Sequence, residues 1–201
     1  MSKVALCFSG LPRGDYMKNI QLWGEIFPQA SAFFSTWRGH DLELEHRNFV
    51  EPHSNYLAKD LTHLSEEKQA LLGRGYKQIL GHAYQLNSQV PFDYDWIIRL
   101  RYDVTPNPEI DWASYLKETQ DKGCVSGFRI WIEDEWDYVK QVHTEGLVLD
   151  HVIMHHRDDF DPFKAMELFY CAELQPCEMG WYQMFQEQEI RNYIGGCELH
   201  K

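Results

Sequence analysis

The sequence predicts an α/β protein in which helices flank a mainly parallel sheet, and three stretches carry that prediction. The run Val4-Ala5-Leu6-Cys7-Phe8 is almost wholly apolar and empties into Ser9-Gly10-Leu11-Pro12-Arg13-Gly14, the pattern of a strand buried on both faces that ends in a tight loop. Tyr16, Ile20, Trp23 and Phe27 recur at spacings of 4, 3 and 4 before Pro28, the stripe and stop of an amphipathic helix. The stretch from Ser31 to Trp37 then predicts a second strand. Strand, helix and strand in that order make a parallel pair joined by a crossover.

The remaining elements follow in sequence. The polar stretch from Arg38 to Leu61 predicts a loop with one short strand around 42–49. Ser65 followed by Glu66 and Glu67 opens a helix, with Tyr76, Ile79, Leu80 and Ala83 as its stripe, Gly73 and Gly75 as a possible division, and Pro91 as its limit. Residues 96–103 predict a strand that Pro106 and Pro108 terminate. Further strands are predicted over 124–132 and 147–154. Asp161 is a good N-cap ahead of Pro162, with Met166, Phe169 and Glu173 continuing the turn pattern, and a last helix is predicted over 178–190.

With 201 residues, 44% of them hydrophobic, the chain has ample material for one packed core. No repeat or linker divides it, so residues 1–201 are expected to form a single domain. Acidic residues outnumber basic ones 31 to 19, a formal charge of −12, which disfavours nucleic acid and anionic membranes as main partners. Five cysteines lack metal or redox spacing and read as reduced thiols of a cytoplasmic protein. Neither a signal peptide nor a membrane span is expected.

In an open α/β sheet, ligands sit outside the carboxyl ends of the strands. The stretch 96–103 is informative because alternation puts Ile97, Arg99, Arg101 and Asp103 on one face. Buried unpaired charge costs several kcal/mol, about the scale that demands a partner. An anionic ligand with a divalent cation would satisfy these groups, and a buried ion-pair network is the alternative, above all for the deeper Arg99. Just upstream, Asp93-Tyr94-Asp95 spells a D-x-D triplet, but a parallel sheet would leave it at the amino-terminal edge, away from ligands.

Three blocks, ALCFSGLPRG at 5–14, FFSTWRG at 33–39 and YDWIIRLRYDV at 94–104, resemble small bacterial and viral glycosyltransferases of the GT-A type, including polysaccharide-synthesis proteins of the WavE-like kind. The resemblance implies a GT-A-like, Rossmann-related single domain that uses a nucleotide diphosphate sugar. Carried over by position, Ser9, Gly10 and Arg13 would lie against the nucleotide, with Arg99 and Arg101 completing the nucleotide-sugar site. Asp103 would correspond to the last aspartate of the family's D-x-D metal motif, with Arg101 standing where its first aspartate is expected. The site would then hold Mn²⁺ or Mg²⁺ through Asp103 and other groups, or use the Arg101 guanidinium in part as the cation.

His151 and His155, four apart, would share a strand face, and His151 is the histidine assigned to the metal beside Asp103. Asp150 and Glu178 are the carboxylates assigned to deprotonating an acceptor hydroxyl. Glu133, Asp134, Glu135 and Asp137 read as solvated surface, and Trp37, Trp131, Trp136 and Trp181 as core more than sugar platforms. Phosphate-loop, dinucleotide, zinc-protease and serine-hydrolase motifs are absent from the sequence. The expected activity is sugar transfer from a nucleotide diphosphate sugar to a hydroxyl of a glycan-type acceptor. The alternatives are a nucleotide-sugar-binding module without turnover and a phage-type DNA-base glycosyltransferase.

Overall fold

A computed structural model describes residues 2–36, 76–129, 148–165, 177–185, 190–194 and 197–199. The opening unit is as the sequence predicts: β1 (Lys3–Ser9), α1 (Tyr16–Ile26) and β2 (Ser31–Ser35). Asp15 caps α1 by accepting a hydrogen bond from the Lys18 amide. Helix α2 (Tyr76–Ser88) precedes β3 (Tyr94–Leu100) and the short β4 (Val104–Pro106). Helix α3 (Trp112–Lys122) and β5 (Val125–Arg129) follow. The described remainder contains β6 (Val152–His156), a 3₁₀ turn (Arg157–Asp159), α4 (Cys177–Met184), β7 (Ile190–Ile194) and β8 (Cys197–Leu199).

Six strands form one sheet in the order β2-β1-β3-β6-β5-β7, and β4 pairs with β8 in a separate ribbon. The sheet is mostly parallel, with β6 antiparallel to both β3 and β5. Alternation along each strand feeds two cores. Ala5, Cys7, Ile97 and Ile153 pack under α2 and α4 with Trp181 and Phe185. Leu6, Phe8, Ile98, Leu100 and Met154 pack under α1 and α3 with Trp23 and Trp112. Helices on both faces explain why the middles of β1 and β3, residues 4–8 and 96–98, are apolar.

Four expectations change. The strand predicted over 96–103 ends at Leu100, because the chain turns at once: the Val104 amide donates to the Arg101 carbonyl, closing a tight turn. The strand predicted over 147–154 starts only at Val152, after a bend at His151. The helix predicted over 178–190 stops at Met184, and Ile190 already belongs to β7. Helix α3 was not expected, although Asp111 caps it through the Ser114 amide and Gly123 closes it in the left-handed region at φ 56°. The predicted N-cap at Asp161 is present, accepting from the Phe163 amide. The predicted features at 38–61, 65–75 and 130–132 lie outside the described residues.

Candidate active site at the carboxyl edge

Sheet polarity gathers the predicted polar residues. Ser9 ends β1 and Arg101 follows β3, so both stand at the carboxyl edge of the parallel strands. Because β6 runs the other way and pairs Val152 with Leu100, the residues just before β6, Asp150 and His151, arrive at that same edge. Gly127 permits this course: a Cβ there would lie 2.8 Å from the Leu149 carbonyl oxygen, too close for any other residue type without displacement. An isolated parallel bridge pairs Phe128 with Asp150 alongside it.

The turn then brings two charges into contact. Arg101 Nε donates to Asp103 Oδ1 at 2.9 Å and Nη2 to Oδ2 at 2.8 Å, a bidentate fork in which both carboxylate oxygens face one guanidinium. Arg101 Nη1 lies 3.8 Å from Asp150 Oδ2. The two aspartate side chains are 6% and 7% exposed, against 22% for Arg101, so Arg101 is the most exposed side chain of the trio. The Arg101 amide donates to the His151 carbonyl, and His151 Nδ1 lies 3.9 Å from Asp150 Oδ1.

Arg99 sits one layer deeper and is fully buried. Its Nε donates to Ser9 Oγ at 3.3 Å, Nη1 to the Asp150 carbonyl and Nη2 to Gln78 Oε1, with the guanidinium carbon 5.3 Å from the centre of the Trp181 ring. It therefore ties β1, α2, α4 and the Asp150 segment together and has no surface to offer a ligand. In this arrangement Arg99 positions the edge. Trp181 is likewise fully buried, as its core reading expects.

Gly10, with φ 114°, turns the chain out of β1. Arg13 is exposed in the loop that follows. Helix α1 fixes this loop against the Arg101–Val104 turn: Asn19 Nδ2 donates to the Tyr102 carbonyl at 2.8 Å, Trp23 Nε1 to the Val104 carbonyl at 2.9 Å, and Thr105 Oγ1 to Asn19 Oδ1 at 2.7 Å. Gln85 Nε2 ties α2 to the Phe8 carbonyl at 2.8 Å. Sequence reasoning passed over Asn19, Gln78 and Gln85. The signal was a polar residue on an otherwise apolar helix stripe, since Gln78, His82 and Gln85 are spaced 4 and 3 apart.

The other candidates separate from the site. His155 does not join His151; it is fully buried on the opposite side of the bend, with its Nε2 2.9 Å from His82 Nε2. His155 Nδ1 is 2.7 Å from the His156 carbonyl oxygen, which can only accept, so Nδ1 carries the proton and Nε2 accepts from His82. Burial lowers the pKa of both rings, to about 4 for His155. Asp93 stands at the amino edge, as its position in the sequence implies, paired with Lys3. Glu178 lies in α4, its side chain outside the described residues, as are Trp37, Trp131, Trp136 and the 133–137 acidic run.

The pairing of Asp103 bears on whether it could hold a divalent metal. Both oxygens of Asp103 are engaged by Arg101, and among the described residues no three His, Cys, Asp or Glu side chains are grouped to hold an ion. Two guanidiniums (Arg99, Arg101) and two carboxylates (Asp103, Asp150) sum to zero formal charge, the same as two carboxylates with one divalent cation. Among the described residues, no helix is long and apolar enough to cross a membrane, and Cys7 and Cys124 are buried.

No protein-family profile matches the chain, and no curated protein matches it. Among solved structures the fold is similar to that of the galactosyltransferase LgtC in complex with donor and acceptor sugar analogues, with a TM-score of 0.50 and 12% identity over 94% of this chain and 72% of that one. It is also similar to the 4-diphosphocytidyl-2C-methyl-D-erythritol synthase of Anaerococcus prevotii, with a TM-score of 0.51 and 8% identity over 96% and 89%. The chain thus has a GT-A-like fold, a mostly parallel mixed sheet between helices.

Proposed function

We propose that the protein is a glycosyltransferase that moves a sugar from a nucleotide diphosphate sugar to a hydroxyl of a glycan-type acceptor. The observation that carries the reading is the charged cluster at the carboxyl edge, where Arg101 is held by Asp103 beside Asp150 at the place this kind of sheet receives ligands. The fold supports it, and the three sequence blocks favour the polysaccharide-synthesis kind of GT-A enzyme.

In this reading Ser9 and Gly10 let the backbone approach the nucleotide, and Arg13 and Arg101 meet the diphosphate. The acceptor oxygen bonds to the anomeric carbon as the bond from that carbon to the diphosphate oxygen breaks. The departing diphosphate keeps the electron pair, and Arg101 stabilises the charge that develops there. The hydroxyl proton passes to a carboxylate, a role for Asp150 at the same edge and for Glu178 in α4. A half-buried and pre-paired guanidinium is already oriented, so little reorganisation is needed when charge appears.

The test is release of nucleoside diphosphate from a panel of uridine, guanosine, cytidine and thymidine diphosphate sugars, with and without a mixture of soluble glycans. Base-selective release that glycans accelerate is the expected result. Diphosphate binding with no release from any sugar would replace the transferase reading by that of a binding module, and salt-sensitive binding of duplex DNA would favour a DNA base as acceptor.

A further inference from the structure

We infer that Arg101 takes the place of the divalent cation, so that the donor diphosphate is held without metal, with Asp103 as the residue that positions the guanidinium. The inference rests on the donor-site reading above and deepens it.

The first ground is occupancy. A carboxylate ligates a metal through an oxygen lone pair directed at the ion. Here Asp103 presents both oxygens to Arg101 at 2.9 and 2.8 Å, and the geometry is that of a fork that matches a planar acceptor. The second ground is accessibility. Asp103 and Asp150 are almost wholly enclosed while the Arg101 side chain between them is the more exposed partner, so Arg101 is the member of the trio best placed to meet an incoming phosphate. The third is charge. The four buried or half-buried groups balance to zero, which leaves the edge as neutral as a two-carboxylate site loaded with a divalent ion and spares it the repulsion an empty pair of aspartates would impose. Arg99 contributes through the Asp150 carbonyl, which it holds in place. The fourth is sequence geometry. Arg101 and Asp103 flank Tyr102 in a tight turn, so the single change Arg101→Asp would recreate an Asp-Tyr-Asp triplet at the carboxyl edge.

That change supplies the experiment. Uridine, guanosine, cytidine and thymidine diphosphates are titrated calorimetrically into wild type and Arg101→Asp, each in EDTA and in Mn²⁺, and Mn²⁺ binding to the protein alone is followed by electron paramagnetic resonance. Wild type is expected to bind one diphosphate with affinities in EDTA and Mn²⁺ that agree within about twofold, and to take up no Mn²⁺ on its own. Arg101→Asp is expected to lose at least about 100-fold of that affinity in EDTA, the scale of a lost charge-stabilising donor, and to regain it in Mn²⁺ with a Mn²⁺-dependent rise in its unfolding midpoint. Should Arg101→Asp fail to fold, Arg101→Lys keeps the charge and loses the fork; weakened binding that still ignores EDTA is then expected. Binding by wild type that EDTA abolishes and Mn²⁺ restores would overturn the inference and leave the donor site standing. Absence of binding by all four diphosphates, with or without Mn²⁺, would overturn the donor site and this inference with it.

Discussion

Strand β3 has an ion pair at each end, and the two ends differ in what they can do. At the amino end Asp93 pairs with Lys3, with side chains 58% and 54% exposed. At the carboxyl end Asp103 pairs with Arg101, at 6% and 22%. The residue types are alike and the surroundings opposite. An exposed pair is screened by water and gains little. A pair among buried groups keeps its field, and breaking it leaves charge uncompensated. The difference teaches that a D-x-D spelling has no chemical meaning apart from the end of the sheet on which it falls.

Removing the carboxyl-end guanidinium should have the largest effect. Arg101→Ala is expected to lower nucleoside diphosphate affinity or transfer by about 10²- to 10³-fold, read by calorimetry or turnover, whereas a loss below about threefold would make the two ends equivalent. The buried His82–His155 pair sharpens the contrast from within the core. In the unfolded chain His155 titrates near 6.5, and in the fold near about 4. Above the first value both states are neutral there. As pH falls through this window the unfolded chain binds protons that the folded state refuses, so stability falls, by about 3 kcal/mol for His155 alone, and levels off below it. Chemical denaturation between pH 7.5 and 4 measures this, and His155→Phe should reduce the fall while leaving the share that His82 contributes.

A smaller effect is expected at Gly127, where a methyl group would strike the Leu149 carbonyl oxygen. Gly127→Ala should cost about 1–3 kcal/mol, about 2–4 °C of midpoint per kcal/mol, and should weaken diphosphate binding by displacing Asp150. An unchanged midpoint would show that the approach of the two segments is not tight. The smallest effect belongs to the amino end: Lys3→Ala and Asp93→Ala should leave both diphosphate binding and the unfolding midpoint unchanged within error, by calorimetry and thermal melts.

Much of this was legible in the sequence. The apolar runs at 4–8 and 96–98 mark buried parallel strands because both sheet faces are covered, and the stripe Tyr16, Ile20, Trp23, Phe27 marks α1 in place. Arg101 and Asp103 stand out in the sequence as one pair and Asp150 separately as a candidate base, and the structure places the three side by side. The reasons were partly different from those the structure reveals. Arg101 and Asp103 meet through a turn and not through strand alternation. Asp150 reaches the edge because β6 is antiparallel, and strand direction leaves no trace in local periodicity. His155 escaped because a histidine that enters an apolar core looks, in sequence, like one that faces a ligand. Helix α3 was missed despite its Asp111 cap and Gly123 stop, since Pro106 and Pro108 dominated the reading of that stretch.

The most direct test of the account is a crystal structure with the selected nucleoside diphosphate bound. The account predicts the diphosphate at the carboxyl edge, its oxygens within hydrogen-bond distance of Arg101 and beside the Ser9–Arg13 loop. A diphosphate seated at the Asp93–Asp95 end of β3, or anywhere that leaves Arg101 untouched, would contradict it.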